Sequence, residues 1–159
     1  MLTCGWAISQ DERDPATVAF NRTSRGKVPS VIRIRLNSIM VDDQGKAEKF
    51  YTEVVGFKKK HDIPLGEFKW LTVVSFHGSD ELELVLEPNA NPAGKTYQRA
   101  LFDQGIPATA FEVDDLEAEY TRLNALGVAF KGPPADHGAV KIAVFADTCG
   151  NWIQLYQPL

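Results

Sequence analysis

Glu83 sits in mid-run between Leu82 and Leu84, and a carboxylate fixed in a strand can act as a base, hold a cation or anchor a charged ligand. Its candidate companions are Trp70, Thr72, Trp152, Gln154 and Tyr156, with Ser38 and Met40 from an earlier run. Aromatic faces beside a few polar groups are the chemistry of a small-molecule pocket. The rings of Trp70, Trp152 or Tyr156 would attract a cation, reinforced by Glu83. Burial among aromatics is also expected to raise the Glu83 carboxyl toward neutrality, which suits a general base. The plainer alternatives are that Glu87 is exposed at its strand end and that the aromatics fill a sheet or a dimer contact.

The other reactive side chains point to less. His61 falls at a strand end, His77 in a hairpin turn and His137 in the loop from Pro133 to Gly138, none paired at metal-ligand spacing. Surface positions are expected for all three, with His137 the one able to reach over a ligand from a loop at the pocket mouth. Cys149, in a tight turn before Gly150, reads as a structural thiol, and Lys58, Lys59 and Lys60 read as a solvated strand end.

The elements that must position these residues repeat. Val41-Asp42-Asp43 opens a helical stretch closing at Val54-Val55-Gly56-Phe57, and Val113-Asp114-Asp115 opens another closing at Ala125-Leu126-Gly127-Val128. Each Asp pair caps a helix, with Glu117 placed to complete a capping box to Asp114. Apolar residues recur at three- and four-residue steps, at Ala47, Phe50, Tyr51 and Val54, then Leu116, Tyr120, Leu123 and Leu126. Strand-like runs precede the helices, Ile34 to Val41 and Ala108 to Val113. Three more follow each: Phe57 to Ile63, Phe68 to Phe76 and Glu81 to Glu87, then Val128 to Lys131, Val140 to Ala146 and Trp152 to Tyr156. A short extra helix is expected from Lys95 to Gln104, ended by Gly105.

The fold class is therefore α+β, two tandem βαβββ modules whose incomplete-barrel sheet forms one cup. The domain spans residues 31–157, with module one at 31–87, a linker and short helix at 88–106 and module two at 107–157. Residues 1–30 read as a loosely ordered arm. The more apolar register of each strand marks the helix side: Leu82, Leu84 and Leu86, Leu71 and Val73, Ile39 and Val41, Ile153 and Leu155. The opposite register supplies the cup.

Composition narrows the partners. With 44% apolar and 24% charged residues and a net charge of -4, the chain reads as globular, with no clustered basic surface for nucleic acid. No run approaches a membrane span, and the two distant cysteines, Cys4 and Cys149, suit a reduced cytoplasmic setting.

Val41-Asp42-Asp43, Phe50-Tyr51-Thr52, Val55-Gly56-Phe57, Glu83-Leu84 and the run from Asp147 to Leu155 together resemble the vicinal-oxygen-chelate superfamily of glyoxalases, bleomycin-resistance proteins and extradiol dioxygenases. The resemblance spans residues 31–157 and implies metal-ligand positions at Leu36, Glu83, Ala108 and Gln154. Only Glu83 is an ordinary ligand there, and a register shift to Asn37 and Thr109 adds no histidine. No cofactor is expected and a divalent metal is disfavoured. The resemblance implies a metal-free protein that binds an aromatic or cationic small molecule, paired as a homodimer. The alternative is a lyase, isomerase or dioxygenase using Glu83 as base or in an atypical metal site.

Overall fold

The computed structural model describes residues 32–159, so the expected arm and Cys4 lie outside the described residues. Two four-stranded sheets follow the two modules. In the first, strands β1 (Leu36–Val41), β2 (Lys58–Leu65), β3 (Phe68–Val74) and β4 (Glu83–Pro88) lie in the order β1-β4-β3-β2. In the second, β5 (Pro107–Glu112), β6 (Ala135–Asp136), β7 (Val140–Ala146) and β8 (Trp152–Pro158) repeat that order as β5-β8-β7-β6. The crossover that makes β1 parallel to β4, and β5 parallel to β8, is supplied in each module by a helix and a hairpin.

Those helices begin where an aspartate accepts a free amide. Asp43 accepts from Lys46 N at 2.8 Å at the start of α1 (Gln44–Lys49). Asp115 accepts from Ala118 N at 3.0 Å at the start of α3 (Leu116–Ala125). The cap is thus one residue later than a box from Asp114 to Glu117 requires, and Glu117 pairs instead with Lys141 at 3.2 Å. Helix α1 widens into a π-helical turn over Phe50–Val54, with Val55 N donating to Phe50 O at 3.0 Å. The intervening helix α2 (Pro92–Gln104) starts three residues before the expected Lys95, because Asn91 caps it and Pro92 fits a first helical position.

Two further expectations are corrected. The run from Val128 to Lys131 is no strand: it makes a single bridge, Phe130 to Phe145, and the pairing with β7 is taken by Ala135–Asp136, beyond Pro133 and Pro134. Leu82 and Leu126, expected in the core, are half exposed, since β4 begins only at Glu83 and Leu126 caps the end of α3.

The apolar registers of both sheets converge on one core. Ile39, Val41, Leu71, Val73, Leu84 and Leu86 share it with Ala143, Phe145, Ile153 and Leu155, and Ala47, Phe50, Tyr51, Leu116 and Leu123 from the helices fill it. Contacts between modules run through this layer: Phe50 to Phe145 at 6.2 Å and Phe57 edge-on to Phe111 at 5.2 Å between ring centroids. The other face of each sheet looks away from the shared core. Among the described residues, no helix is long and apolar enough to cross a membrane.

Candidate functional site

On the first sheet, register brings only part of the expected set together: Ser38 and Trp70 line one hollow, whereas Met40, Thr72 and Glu83 lie outside its lining and Thr72 is fully buried. Leu36 lies opposite Glu83, Ser38 opposite Val85 and Met40 opposite Glu87, while Thr72 pairs with Val85 from the other side. This hollow, of about 410 Å³, is lined by Leu36, Ser38, Leu65, Phe68, Trp70 and Glu87 among others. That volume is of ligand-pocket size, and every lining residue lies on a strand of the first sheet. Leu36, Leu65 and Phe68 are 40 to 57% exposed, so the patch is open and apolar. Trp70 lines it half-buried, with no ring stacked on it among the described residues. Phe68 and Leu65 were not expected here; they flank the Gly66 turn of the β2–β3 hairpin.

Glu83 is 13% exposed and is already paired. Lys60 Nζ reaches its Oε1 at 2.9 Å, and His61 Nε2 lies 3.6 Å from Oε2. Strand alternation puts adjacent residues on opposite faces; a bulge in β2 between Lys59 and His61 breaks that rule, so both Lys60 and His61 reach the same carboxylate. Burial works to raise the Glu83 carboxyl, but Lys60, Thr72 and His61 outweigh it, and the group sits below its ordinary value. The expectation of a base raised toward neutrality is corrected: a carboxylate held ionised by an ammonium is a weak proton acceptor. A depressed folded-state value means that Glu83 adds stability above the ordinary carboxylate range and loses it as pH falls through that folded value. Glu83→Gln is therefore expected to flatten the loss of stability on acidification, read as urea midpoints from pH 7 to 3; parallel curves for the two proteins would refute it.

The second module places its residues apart from that hollow. Trp152 stacks on Phe102 of α2 with ring centroids 5.0 Å apart and planes 6° from parallel, and its Nε1 donates to Phe102 O at 2.9 Å. Lys131 Nζ lies 4.6 Å from the same ring. Tyr156 donates its hydroxyl to Glu112 at 2.8 Å, and Gln154 lies between Ala110 and Val144 in the ladder. Glu83 does meet this module: with Asn37, Thr109 and Ala110 it borders a separate crevice of about 140 Å³.

The donor set at the metal positions does not fit a metal. A register shift between Pro107 and Thr109 puts Ala110, not Ala108, opposite Gln154, and neither alanine nor Leu36 has a lone pair to give. Glu83 is engaged by Lys60. Among the described residues no group of three His, Cys, Asp or Glu side chains is placed to hold an ion. Cys149 is buried, and burial with the nearby Asp147 charge pushes its thiol up to about 12, so it is inert as a nucleophile. His137 lies in the exposed loop beside β6, outside the hollow's lining.

The comparisons with known proteins agree with this architecture. The family model described as Glyoxalase/Bleomycin resistance protein/Dioxygenase superfamily matches residues 32–155. The uncharacterized protein YurT of Bacillus subtilis (strain 168) is 52% identical over 126 residues, 79% of this chain and 99% of that one. Among solved structures, UcmS2 superposes with a TM-score of 0.70 at 32% identity, covering 79% of this chain and 98% of that chain. TnmS3, an antibiotic binding protein from Streptomyces sp. CB03234, superposes with a TM-score of 0.66 at 31% identity, covering 82% and 98%.

Proposed function

Because the chain belongs to the Glyoxalase/Bleomycin resistance protein/Dioxygenase superfamily, we propose that it is a metal-free cytoplasmic protein that binds a planar aromatic small molecule against Trp70. The observation that carries this reading is the open apolar hollow lined by an unstacked indole and by Glu87. A flat ring gains dispersion and desolvation energy on such a floor, and a basic substituent gains from Glu87. Glu83 is not the cation contact, since Lys60 neutralises it. The solved relative that binds an antibiotic supports a small-molecule role. The homodimer belongs to the same proposal, because the exposed Leu36, Leu65 and Phe68 leave one wall of the hollow uncovered in a single chain.

Proflavine, a planar cationic fluorophore, tests this. With EDTA present, it is expected to bind the purified protein saturably, with Glu87→Gln weakening it about threefold to tenfold. Sedimentation of the same sample should give a dimer. Binding that requires added divalent metal, or that ignores Glu87, would overturn the reading, and a monomer would remove its dimeric part.

A further inference from the structure

We infer that Gln44 is the positioning residue of this site, its side-chain amide spliced between β3 and β4 so that the hollow stays open beside Trp70. The inference rests on the ligand reading above and deepens it. The ladder between β3 and β4 records only two pairs, Thr72 with Val85 and Val73 with Leu84. Continued in the same register, it would set Lys69 against Pro88, which has no N–H to give to the Lys69 carbonyl. Gln44, the first residue of α1, fills that gap from the helix side. Its Oε1 accepts from Lys69 N at 2.9 Å, and its Nε2 donates to Lys69 O at 2.9 Å and to Leu86 O at 2.8 Å. One primary amide thus does the work of a peptide unit in an inserted strand, and both of its polar atoms are satisfied.

The consequence falls on the other face. The residues flanking the splice, Phe68, Lys69 and Trp70 on β3 and Val85, Glu87 and Pro88 on β4, all line the hollow, together with residues of β1 and Leu65. Strands bonded directly sit about 4.8 Å apart, too close for an aromatic ring to sink between their side chains. Here the Gln44 amide bridges Lys69 and Leu86 where the ladder has no recorded pair, and Trp70 and Glu87 border the hollow beside that bridge. Without Gln44, three backbone groups lose their partner and the strands can close on one another.

Three variants test it by proflavine titration, amide hydrogen exchange and indole N–H resonances, well below each protein's melting point. In Gln44→Ala the Lys69 amide should lose protection, and proflavine affinity should fall about tenfold or more. Gln44→Glu keeps an acceptor for Lys69 N but loses both donations; it should protect the amide yet still bind poorly. Both should move the Trp70 indole resonance and leave that of Trp152, bonded to Phe102, in place. Trp70→Ala should lose proflavine affinity while keeping Lys69 protected. Full affinity in Gln44→Ala with Lys69 deprotected would overturn the positioning role and leave the ligand reading standing. A wild-type protein that does not bind proflavine would sink the ligand reading, and this inference with it.

Discussion

Asp147→Ala is expected to lower stability by about 4 kcal/mol, measured as the wild-type minus variant difference in urea unfolding at pH 7. Asp147 is fully buried at the end of β7 and accepts four hydrogen bonds. Oδ1 takes the backbone N–H of Cys149 at 2.9 Å and of Asn151 at 2.8 Å; Oδ2 takes the Tyr51 hydroxyl at 2.8 Å and Asn151 Nδ2 at 2.7 Å. Alanine leaves those donors without an acceptor in a closed interior, and each such loss costs about 1–3 kcal/mol before relaxation. Two of the bonds hold the tight turn in which Thr148 has φ 59 and Gly150 φ 93, left-handed conformations that a non-glycine residue keeps only under constraint. The Tyr51 bond ties α1 of one module to the β7–β8 turn of the other, so the loss reaches both halves.

Its pH dependence has the opposite sign to that of Glu83. Burial holds the Asp147 carboxyl above its ordinary value, against the pull of its four donors. The unfolded chain then ionises first as pH rises, so the stability Asp147 supplies is fullest in acid and shrinks as pH climbs through the raised folded value. The gap between wild type and Asp147→Ala should therefore narrow from acid toward neutral pH. A gap that widens over that range, or a difference under about 1 kcal/mol at pH 7, would contradict this account.

What the sequence made legible was local and periodic. The repeated Asp pairs found both helix starts to within a residue, and the alternation through Leu84 and Leu86, and through Ile153 and Leu155, assigned the buried faces of β4 and β8 because one face of each must meet a helix. Alternation cannot see a bulge, and so it missed that Lys60 and His61 both turn to Glu83 and make it a paired carboxylate. Nor can it see what a neighbouring helix does to a strand residue. Trp152 alternates as an outward residue, but its partner Phe102 lies fifty positions back on α2, where no pattern connects the two. Gln44 was hidden for a similar reason: as a first-turn helix residue it reads as solvated, and its role depends on a proline on a different strand. The expectations that changed are those in which long-range packing chooses among residues that local pattern treats alike.

That distinction between two tryptophans gives the second large effect. Trp70→Ala is expected to weaken proflavine binding by about 30-fold, about 2 kcal/mol, with a small change in melting temperature, since the indole lines an open hollow with no stacked ring among the described residues. Trp152→Ala is expected to do the reverse. It removes the parallel stack on Phe102, the bond from Nε1 to Phe102 O and the Lys131 contact, which together seat α2 on the second sheet. The cost should be about 2–3 kcal/mol of folding stability, with affinity in the folded protein changed by less than about threefold. Neither indole is interchangeable with the other, because Trp152 is stacked on a ring of its own chain and Trp70, among the described residues, is not. Paired titration and thermal melting of the two variants reads both quantities at once. Loss of affinity in Trp152→Ala at a temperature where it remains folded would move the ligand to the second sheet, and with it the reading of the hollow beside Trp70.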